Sequence, residues 1–277
     1  MSKNVTTQVM RYLPDANREF FMTNKNGVYL KTPTTLCNLS TDQGLFFVEN
    51  KESMDHDLLL SSLDETVTAY DCEYNLAQHN FPGAVFPKGL KYVSYVQTNP
   101  IPTIEYSMGP IELKKELMIS RDYDSLLVRY SLSSSSPSVE FNIAPMVAFR
   151  SKSEKQLAED DTNFNVETVP NGLFIKNNRI QRELFIQLSQ SCQTDMTKEW
   201  FFNFEYESWS ENKAEREDLL MPGNLKFTLE SGSECIVSVS LNQHDPDILK
   251  MWFEKEMNSY ESKLNPTKRN KQVPSLA

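Results

Sequence analysis

The chain has few of the residues from which common active sites are built. Its 277 residues include three histidines, four cysteines and eight glycines. It contains no glycine-rich phosphate loop and no Gly-x-Ser-x-Gly elbow, so the usual backbone devices of nucleotide binding and serine hydrolysis are missing. His56, His79 and His244 lie far apart, without the short helical spacing of a metal site. We therefore expect no metal, no cofactor and no catalytic residue, and we interpret His79 as a structural hydrogen-bonding residue.

Long apolar runs are also absent. The first thirteen residues lack the continuous apolar core of a signal peptide, and no stretch approaches the ~20 apolar residues of a membrane span. The sequence therefore predicts a cytoplasmic protein. Its four cysteines are widely spaced, and in a reducing compartment we expect them to be ordinary buried residues without a disulfide.

The charge balance restricts the partners. Acidic residues outnumber basic residues by 38 to 28, which gives a net charge of −10. This excess of negative charge disfavours nucleic acid and anionic membranes. Neutral ligands or proteins are the partners that the composition favours.

Alternation of apolar and polar residues with a period of two recurs along the chain. It is clearest in six segments: 111–119, 126–132, 139–143, 184–188, 225–229 and 235–241. Such alternation predicts strands with one face toward a core, and turn residues such as Asn26-Gly27 separate them. About a dozen strands without an intervening helical pattern predict an all-β antiparallel sandwich.

Three polar segments are interpreted as loops. The serine run Ser133 to Ser136, followed by Pro137, lies between two predicted strands and is interpreted as a hairpin tip. The acidic clusters Glu159 to Asp161 and Glu215 to Asp218 are interpreted as solvated loops, with contact to sugar hydroxyls as the alternative.

One helix is predicted near the C-terminus. Asp245 is a suitable N-cap and Pro246 suits the first helical position. An apolar stripe then follows at three- and four-residue spacing: Leu249, Phe253, Met257, Tyr260 and Leu264. This stripe must be covered, either by the sandwich or by a partner chain. We thus predict a β domain over residues 1–244, a helix over 245–265 and a flexible tail over 266–277.

Two segments carry candidate ligand contacts. Asp64 and Glu65 are adjacent on a predicted strand, so they point to opposite faces and cannot flank one glycosidic bond. They are interpreted as turn-bonding or solvated groups, with sugar contact as the alternative. In the run Glu199 to Tyr206, Trp200 and Tyr206 can stack on sugar rings while amides and carboxylates bond hydroxyls. The alternative for both aromatic residues is core filling.

Several segments together resemble the N-terminal domain of bacterial and archaeal glycogen debranching enzymes of the amylo-α-1,6-glucosidase type. They are Leu60 to Thr66, Phe81-Pro82-Gly83, Pro87-Lys88-Gly89, Pro145 to Arg150, Asn203 to Tyr206 and Glu217 to Gly223. The resemblance implies a supersandwich like that of galactose mutarotase, which in the family precedes a helical (α/α)6 barrel carrying the catalytic carboxylates. We expect no part of that barrel in this chain. The carbohydrate-binding candidates are Asp64, Glu65, Arg150, Trp200, Asn203, Glu205 and Tyr206.

One loop departs from the family pattern. Between Cys37-Asn38 and Gly44-Leu45 the family typically has basic, aromatic and imidazole side chains, whereas this chain has Leu39 to Gln43. An arginine that binds an oxygen ligand cannot be replaced by serine without loss of its donors. We therefore expect the role of this loop to be altered.

Three functions are compatible with these features. The first is a non-catalytic domain that binds an α-glucan or oligosaccharide, or a protein partner of glycogen metabolism. The second is the N-terminal part of a split or truncated debranching enzyme, whose α-1,6-glucosidase barrel is a separate chain and docks on the C-terminal helix. The third is an aldose-epimerase-like activity, which rests on fold analogy alone and is disfavoured by the scarcity of histidines.

Overall fold

The computed structural model describes residues 18–158, 163–206 and 215–264. Within these ranges the chain forms twenty strands: β1 (Glu19–Thr23), β2 (Tyr29–Pro33), β3 (Gly44–Asn50), β4 (Asp55–Ala69), β5 (Cys72–Asn75), β6 (Gln78–Phe81), β7 (Ala84–Lys88), β8 (Val93–Gln97), β9 (Thr103–Met108), β10 (Ile111–Ile119), β11 (Ser125–Leu132), β12 (Val139–Ser151), β13 (Phe164–Val169), β14 (Gly172–Asn177), β15 (Arg182–Leu188), β16 (Gln193–Asp195), β17 (Glu199–Tyr206), β18 (Glu215–Met221), β19 (Asn224–Leu229) and β20 (Glu234–Ser240). Helix α1 (Leu249–Leu264) follows a 3-10 turn at Pro246–Ile248, and a second 3-10 turn covers Gly89–Tyr92. The predicted all-β antiparallel sandwich with one C-terminal helix is confirmed.

The strands form two large sheets and one hairpin. The ten-stranded sheet has the path β1-β2-β3-β4-β12-β18-β17, and β5, β19 and β16 extend it from β4 and β12. The eight-stranded sheet has the order β13-β14-β15-β20-β11-β10-β9-β8. Among the described strands, β6 and β7 pair only with each other. Loops therefore connect neighbouring strands in most places, as expected for an antiparallel sandwich.

The serine run does not form a hairpin tip. Strand β11 lies in the eight-stranded sheet, whereas β12 lies in the ten-stranded sheet. The segment from Ser133 to Ser138 therefore crosses from one sheet to the other. The prediction failed because alternation shows that a strand has ended but not which sheet contains the next one.

Long strands contribute side chains to two cores. Leu63 and Val67 of β4 belong to the main core between the sheets, as does Phe141 of β12, whose ring lies 4.9 Å from that of Tyr130 on β11. Alternate residues of the same strands point to the outer face of the ten-stranded sheet. There they form a second apolar cluster: Phe47, Leu58, Ala144, Met146, Ala148, Phe204, Leu219 and Met221. The ten-stranded sheet is therefore covered, at least in part, on both faces.

Helix α1 packs back on the sandwich. The Asp245 carboxylate accepts a hydrogen bond from the Asp247 backbone N–H at 3.1 Å, which confirms the predicted N-cap. Leu249, Trp252, Phe253 and Met257 are buried in the main core, and the Tyr260 hydroxyl donates to the Ile119 carbonyl at 2.8 Å. The predicted tail, like residue 265, lies outside the described residues.

A charged triad is buried between the sheets. The Lys115 ammonium of β10 donates to Glu65 Oε1 of β4 at 2.5 Å, and the Tyr130 hydroxyl donates to the same oxygen. Burial and then the charge of Glu65 raise the pKa of Tyr130 well above its usual value. The two sheets are therefore held in register by polar bonds as well as by apolar contact.

Replacement of Lys115 by methionine tests this triad. The substitution leaves the Glu65 carboxylate buried without its cation, so we expect the free energy of unfolding to fall by about 3–5 kcal/mol. Urea denaturation measures the loss. The double variant Glu65→Gln/Lys115→Met keeps an acceptor for Tyr130 without a charge and should recover at least half of it. A single variant as stable as the wild type would contradict the assignment.

Candidate functional site

The segments that resemble the debranching-enzyme domain converge on one surface. Leu60 to Thr66 lies in β4, Pro145 to Arg150 in β12, Asn203 to Tyr206 in β17 and Glu217 to Met221 in β18, all strands of the ten-stranded sheet. Phe81-Pro82-Gly83 forms the turn of the β6–β7 hairpin, which packs against β17. We call the outer face of these four strands, together with the hairpin, the motif face.

A buried ion pair lies at the centre of the motif face. The Arg150 guanidinium donates to both carboxylate oxygens of Glu217, with 2.9 Å between Nη2 and Oε2, and neither side chain is exposed. The Tyr206 hydroxyl donates to Glu217 Oε2 at 2.6 Å, and the Gln156 backbone N–H donates to Oε1 at 3.0 Å. Four segments of the chain thus meet at one carboxylate.

This network changes the acid–base properties of its members. Burial by itself lowers the pKa of Arg150, but hydrogen bonding and the charge of Glu217 outweigh it and raise that pKa. Burial, followed by the Glu217 charge, raises the pKa of Tyr206 well above its usual value. Arg150 therefore stays charged and Tyr206 neutral over the physiological pH range. The network connects the strands, and neither Arg150 nor Tyr206 is suited to exchange a proton near neutral pH.

The interpretation of Glu215 to Asp218 as a solvated loop was wrong. These residues begin β18, and Glu217 is fully buried. The segment lacks apolar alternation because Glu217 occupies a buried position where an apolar residue is expected. Its charge is paired with that of Arg150. The sequence offered one signal: an arginine at the end of a buried strand requires a carboxylate elsewhere.

A second polar cluster fastens the hairpin to the sheet. His79 Nε2 of β6 donates to Asp64 Oδ2 of β4 at 2.7 Å, and the Ser62 hydroxyl donates to Asp64 Oδ1 at the same distance. The His79 and Phe81 rings contact the Phe204 ring, with centroids 4.9 and 5.0 Å apart. The predicted structural hydrogen bond of His79 is confirmed.

Asn38 supports the sheet beside this cluster. Its Nδ2 donates to the Ser61 carbonyl at 3.1 Å and to the Ser61 hydroxyl at 3.2 Å, where the register of β4 against β12 shifts. Its Oδ1 accepts from the Thr32 hydroxyl at 3.0 Å. The asparagine of the family segment Cys37-Asn38 therefore has a structural use.

The divergent loop that follows is bonded to its own surroundings. Asp42 binds Lys31 Nζ at 2.5 Å, and Gln43 Oε1 accepts from the Leu39 backbone N–H at 2.6 Å. Gln43 Nε2 also donates to Glu19 Oε1 at 2.6 Å. These bonds occupy the polar side chains that replace the basic and imidazole groups of the family pattern.

Space for a ligand under the hairpin is small. Two cavities adjoin His79, one next to Asp64 and the other next to Tyr206, and each has a volume of about 10 Å³. A cavity of this size holds about one water molecule. A sugar ring cannot enter the motif face at either point in this conformation.

Comparison with known proteins identifies the family of the chain. A family model described as glycogen debranching enzyme N terminal matches residues 18–236. The chain belongs to this family. A comparison with curated protein sequences finds no match.

Solved structures similar to this debranching-enzyme N-terminal domain share little sequence with it. A 4-α-glucanotransferase from Thermococcus litoralis is 11% identical over 85% of this chain and 41% of its own, with a TM-score of 0.40. A bacterial glucoamylase in complex with acarbose is 10% identical over 92% and 37%, with a TM-score of 0.37. A heparan sulfate lyase from Pedobacter heparinus is 13% identical over 81% and 35%, with a TM-score of 0.38. The domain spans less than half the length of each.

Four of the seven carbohydrate-binding candidates are on the motif face: Asp64, Arg150, Glu205 and Tyr206. Arg150 and Tyr206 are buried and bonded to Glu217, so in this conformation they offer no group to a sugar. Asp64 is bonded to His79, and Glu205 pairs with Arg216 at 3.3 Å. In the debranching-enzyme domain all four side chains are bonded to protein groups, and sugar contact by any of them stays a prediction.

The other three candidates lie elsewhere. Glu65 points into the main core, which confirms that it and Asp64 face opposite ways but removes it from any surface. Trp200 packs against the main core, with its ring 6.0 Å from Phe164. Asn203 is exposed at a bulge of β17 with φ of +62°, and its backbone N–H donates to Asp218 at 2.8 Å. The Asn203 side chain is therefore exposed to solvent.

Three other findings bear on function. Among the residues that the structure describes, no group of three or more histidine, cysteine and acidic side chains is arranged to hold a metal ion. In the same residues, no helix is long and apolar enough to cross a membrane. All four cysteines have free thiols, but only Cys37 and Cys235 are buried, whereas Cys72 is exposed and Cys192 half-buried, which corrects the expectation that all four are buried.

The buried Arg150–Glu217 pair can be compared with the exposed Arg216–Glu205 pair, which also includes a residue of β18. Arg150→Met leaves Glu217 buried without its partner, so we expect a loss of about 3–5 kcal/mol in the free energy of unfolding. Arg216→Met removes the exposed partner of Glu205 and should cost less than about 1 kcal/mol. Equal losses in guanidinium denaturation would contradict the central role of Arg150.

Asp64→Ala tests how the hairpin is held. The substitution removes the acceptor of His79, so amides of residues 78–88 should exchange with deuterium about tenfold faster while global stability falls by less than about 2 kcal/mol. Asp42→Ala, which removes the surface partner of Lys31, is the control and should leave hairpin exchange unchanged. Unchanged exchange in Asp64→Ala would show that ring contacts alone hold the hairpin.

Proposed function

We propose that this debranching-enzyme N-terminal domain is non-catalytic and acts by docking a protein partner of glucan metabolism on its β6–β7 hairpin. The supporting observation is the exposure of β7. Val85 is 38% exposed and Phe86 67% exposed, on a strand whose remaining edge pairs with no described strand. An exposed apolar edge strand is a ready binding site for another chain.

The surroundings of the hairpin support docking over ligand binding. The polar groups beneath it are bonded to one another, and its base cavities hold about one water each. Phe202, which is 55% exposed, lies at the bulge of β17, the strand against which β6 packs. A rigid, internally bonded sheet that carries exposed aromatic residues provides a preorganised docking surface.

The partner that the family resemblance favours is a catalytic (α/α)6 barrel. The sequence-based alternative placed this contact on the apolar stripe of α1. Four residues of that stripe, Leu249, Phe253, Met257 and Tyr260, pack on the sandwich, so the hairpin is the better candidate for the contact. An aldose-epimerase-like activity has no comparable support, since His79 and Asp64 bond each other and no sugar-sized space adjoins them.

Docking is tested with a matched pair of double variants. Val85→Ser/Phe86→Ser removes the exposed apolar groups of β7 and should weaken binding to a separately expressed debranching-type barrel chain by at least about tenfold. Ile248→Ser/Met251→Ser changes side chains that are 39% and 69% exposed on and beside α1, and should bind as wild type. Calorimetry and size-exclusion chromatography measure the complex.

Two results would contradict docking on the hairpin. One is the absence of any complex between the wild-type domain and the barrel chain at ~100 μM of each protein, a concentration that detects weak transient pairs. The other is equal loss of binding in both double variants, which would place the contact elsewhere. Limit-dextrin hydrolysis by the barrel, with and without the domain, shows whether the complex supports activity.

A further inference from the structure

A large polar cleft lies at one end of the sandwich, and no residue of the β6–β7 hairpin lines it. Its volume is about 940 Å³, against about 10 Å³ for each cavity under the hairpin. The turn between β3 and β4 forms one wall and the turn between β14 and β15 forms the other, with Asp124 between them. We call this region the end cleft. Its size is in the range of cavities that bind small molecules.

A buried carboxylate connects the two walls. Both oxygens of Asp57 accept from Asn50 Nδ2 of the first wall at 3.1 Å. Asp57 Oδ2 also accepts a hydrogen bond from Arg182 Nε of the second wall at 2.7 Å. Arg182 Nη2 donates to the Glu49 carbonyl at 3.1 Å. Because Asp57 is almost fully buried, these bonds fix the width of the cleft before any ligand arrives.

The third side of the cleft is equally ordered. Asn26 Nδ2 donates to Asp124 Oδ1 at 2.8 Å, and the Asn26 backbone N–H donates to the Asn24 side chain at 2.9 Å. Asn26 and Asp124 both line the cleft. A site with fixed polar walls loses little entropy when it binds a ligand.

The chemistry of the walls selects the ligand class. Three acidic and three basic residues line the cleft: Glu49, Glu52, Asp124, Lys51, Arg179 and Arg182. Their formal charges cancel, which favours neither anions nor cations. The amides of Asn26, Asn50 and Gln181 add donors and acceptors. Such a lining suits a neutral molecule with many hydroxyl groups.

The floor of the cleft is apolar without being aromatic. Val28, Val48, Ile180 and Leu241 line it, and Val28 and Val48 are buried. Aliphatic side chains can cover the C–H face of a sugar ring while the polar walls bond its hydroxyls. We propose that the end cleft binds a short neutral oligosaccharide.

This site is independent of the docking surface. Asp57 bonds Arg182 of the cleft wall, and Asp64 bonds His79 of the hairpin; both acidic residues are on β4. Seven residues of extended chain separate them by about 20 Å. Sugar binding and partner binding can therefore be measured and lost separately.

The test is a calorimetric titration of the intact chain with maltotriose, isomaltotriose and cellotriose, and with inorganic phosphate as an anionic probe. We expect saturable one-to-one binding of at least one trisaccharide. Lys51→Ala/Glu52→Ala removes one exposed charge of each sign from the cleft and should weaken that binding about tenfold. Glu112→Ala/Lys250→Ala makes the same change on β10 and α1 and should bind within about twofold of wild type.

Three outcomes would overturn the proposal. The first is that no trisaccharide shows saturable binding at concentrations up to ~10 mM, so that any dissociation constant lies above this concentration. The second is equal binding by the cleft variant and its control, which would move the site elsewhere. The third is tighter binding of phosphate than of any sugar, which would make the ligand class wrong. Each of these results can occur while the hairpin double variant still shows weakened binding to the barrel chain. The sugar-binding proposal and the docking proposal can therefore be contradicted independently.

Discussion

The Arg150–Glu217 ion pair is the interaction on which the motif face depends. It connects β12 to β18. The Tyr206 hydroxyl of β17 and the Gln156 backbone N–H both donate hydrogen bonds to the Glu217 carboxylate. An ion pair without solvent access is costly to form and more costly to break, so its partners act as one unit. The family segments in β12, β17 and β18 therefore take part in one buried network, and their polar side chains are bonded to one another.

Strand β4 shows how one sequence serves both sides of a sheet. Glu65 points inward to Lys115 and joins the two sheets, whereas Asp64 points outward to His79 and holds the hairpin. Seven residues earlier, Asp57 connects the walls of the end cleft. Three carboxylates on one strand thus support the core, the docking surface and the proposed sugar site. Each is satisfied by partners from other strands, which makes β4 the common support of all three regions.

Local patterns predicted the fold better than the site. Alternation indicated the strands, and the order Asp245-Pro246 indicated the start of the helical region, because both signals are encoded within a few residues. The opposite directions of Asp64 and Glu65 followed from the same geometry. Pairing over long distances left no such signal: Lys115 is 50 residues from Glu65, and Arg150 is 67 from Glu217. Without those partners, buried charged residues resembled ligand contacts, and the strand beginning at Glu215 resembled a solvated loop.

Hydrogen–deuterium exchange over residues 199–206 and 215–221 tests the closed motif face most directly. If Arg150, Glu217 and Tyr206 form a permanent internal network, these amides exchange only by global or near-global unfolding. We predict slow exchange in the free chain and no further protection with saturating maltotriose. Rapid exchange of both segments, or strong added protection by the sugar, would show that the network opens to a ligand and would contradict the account.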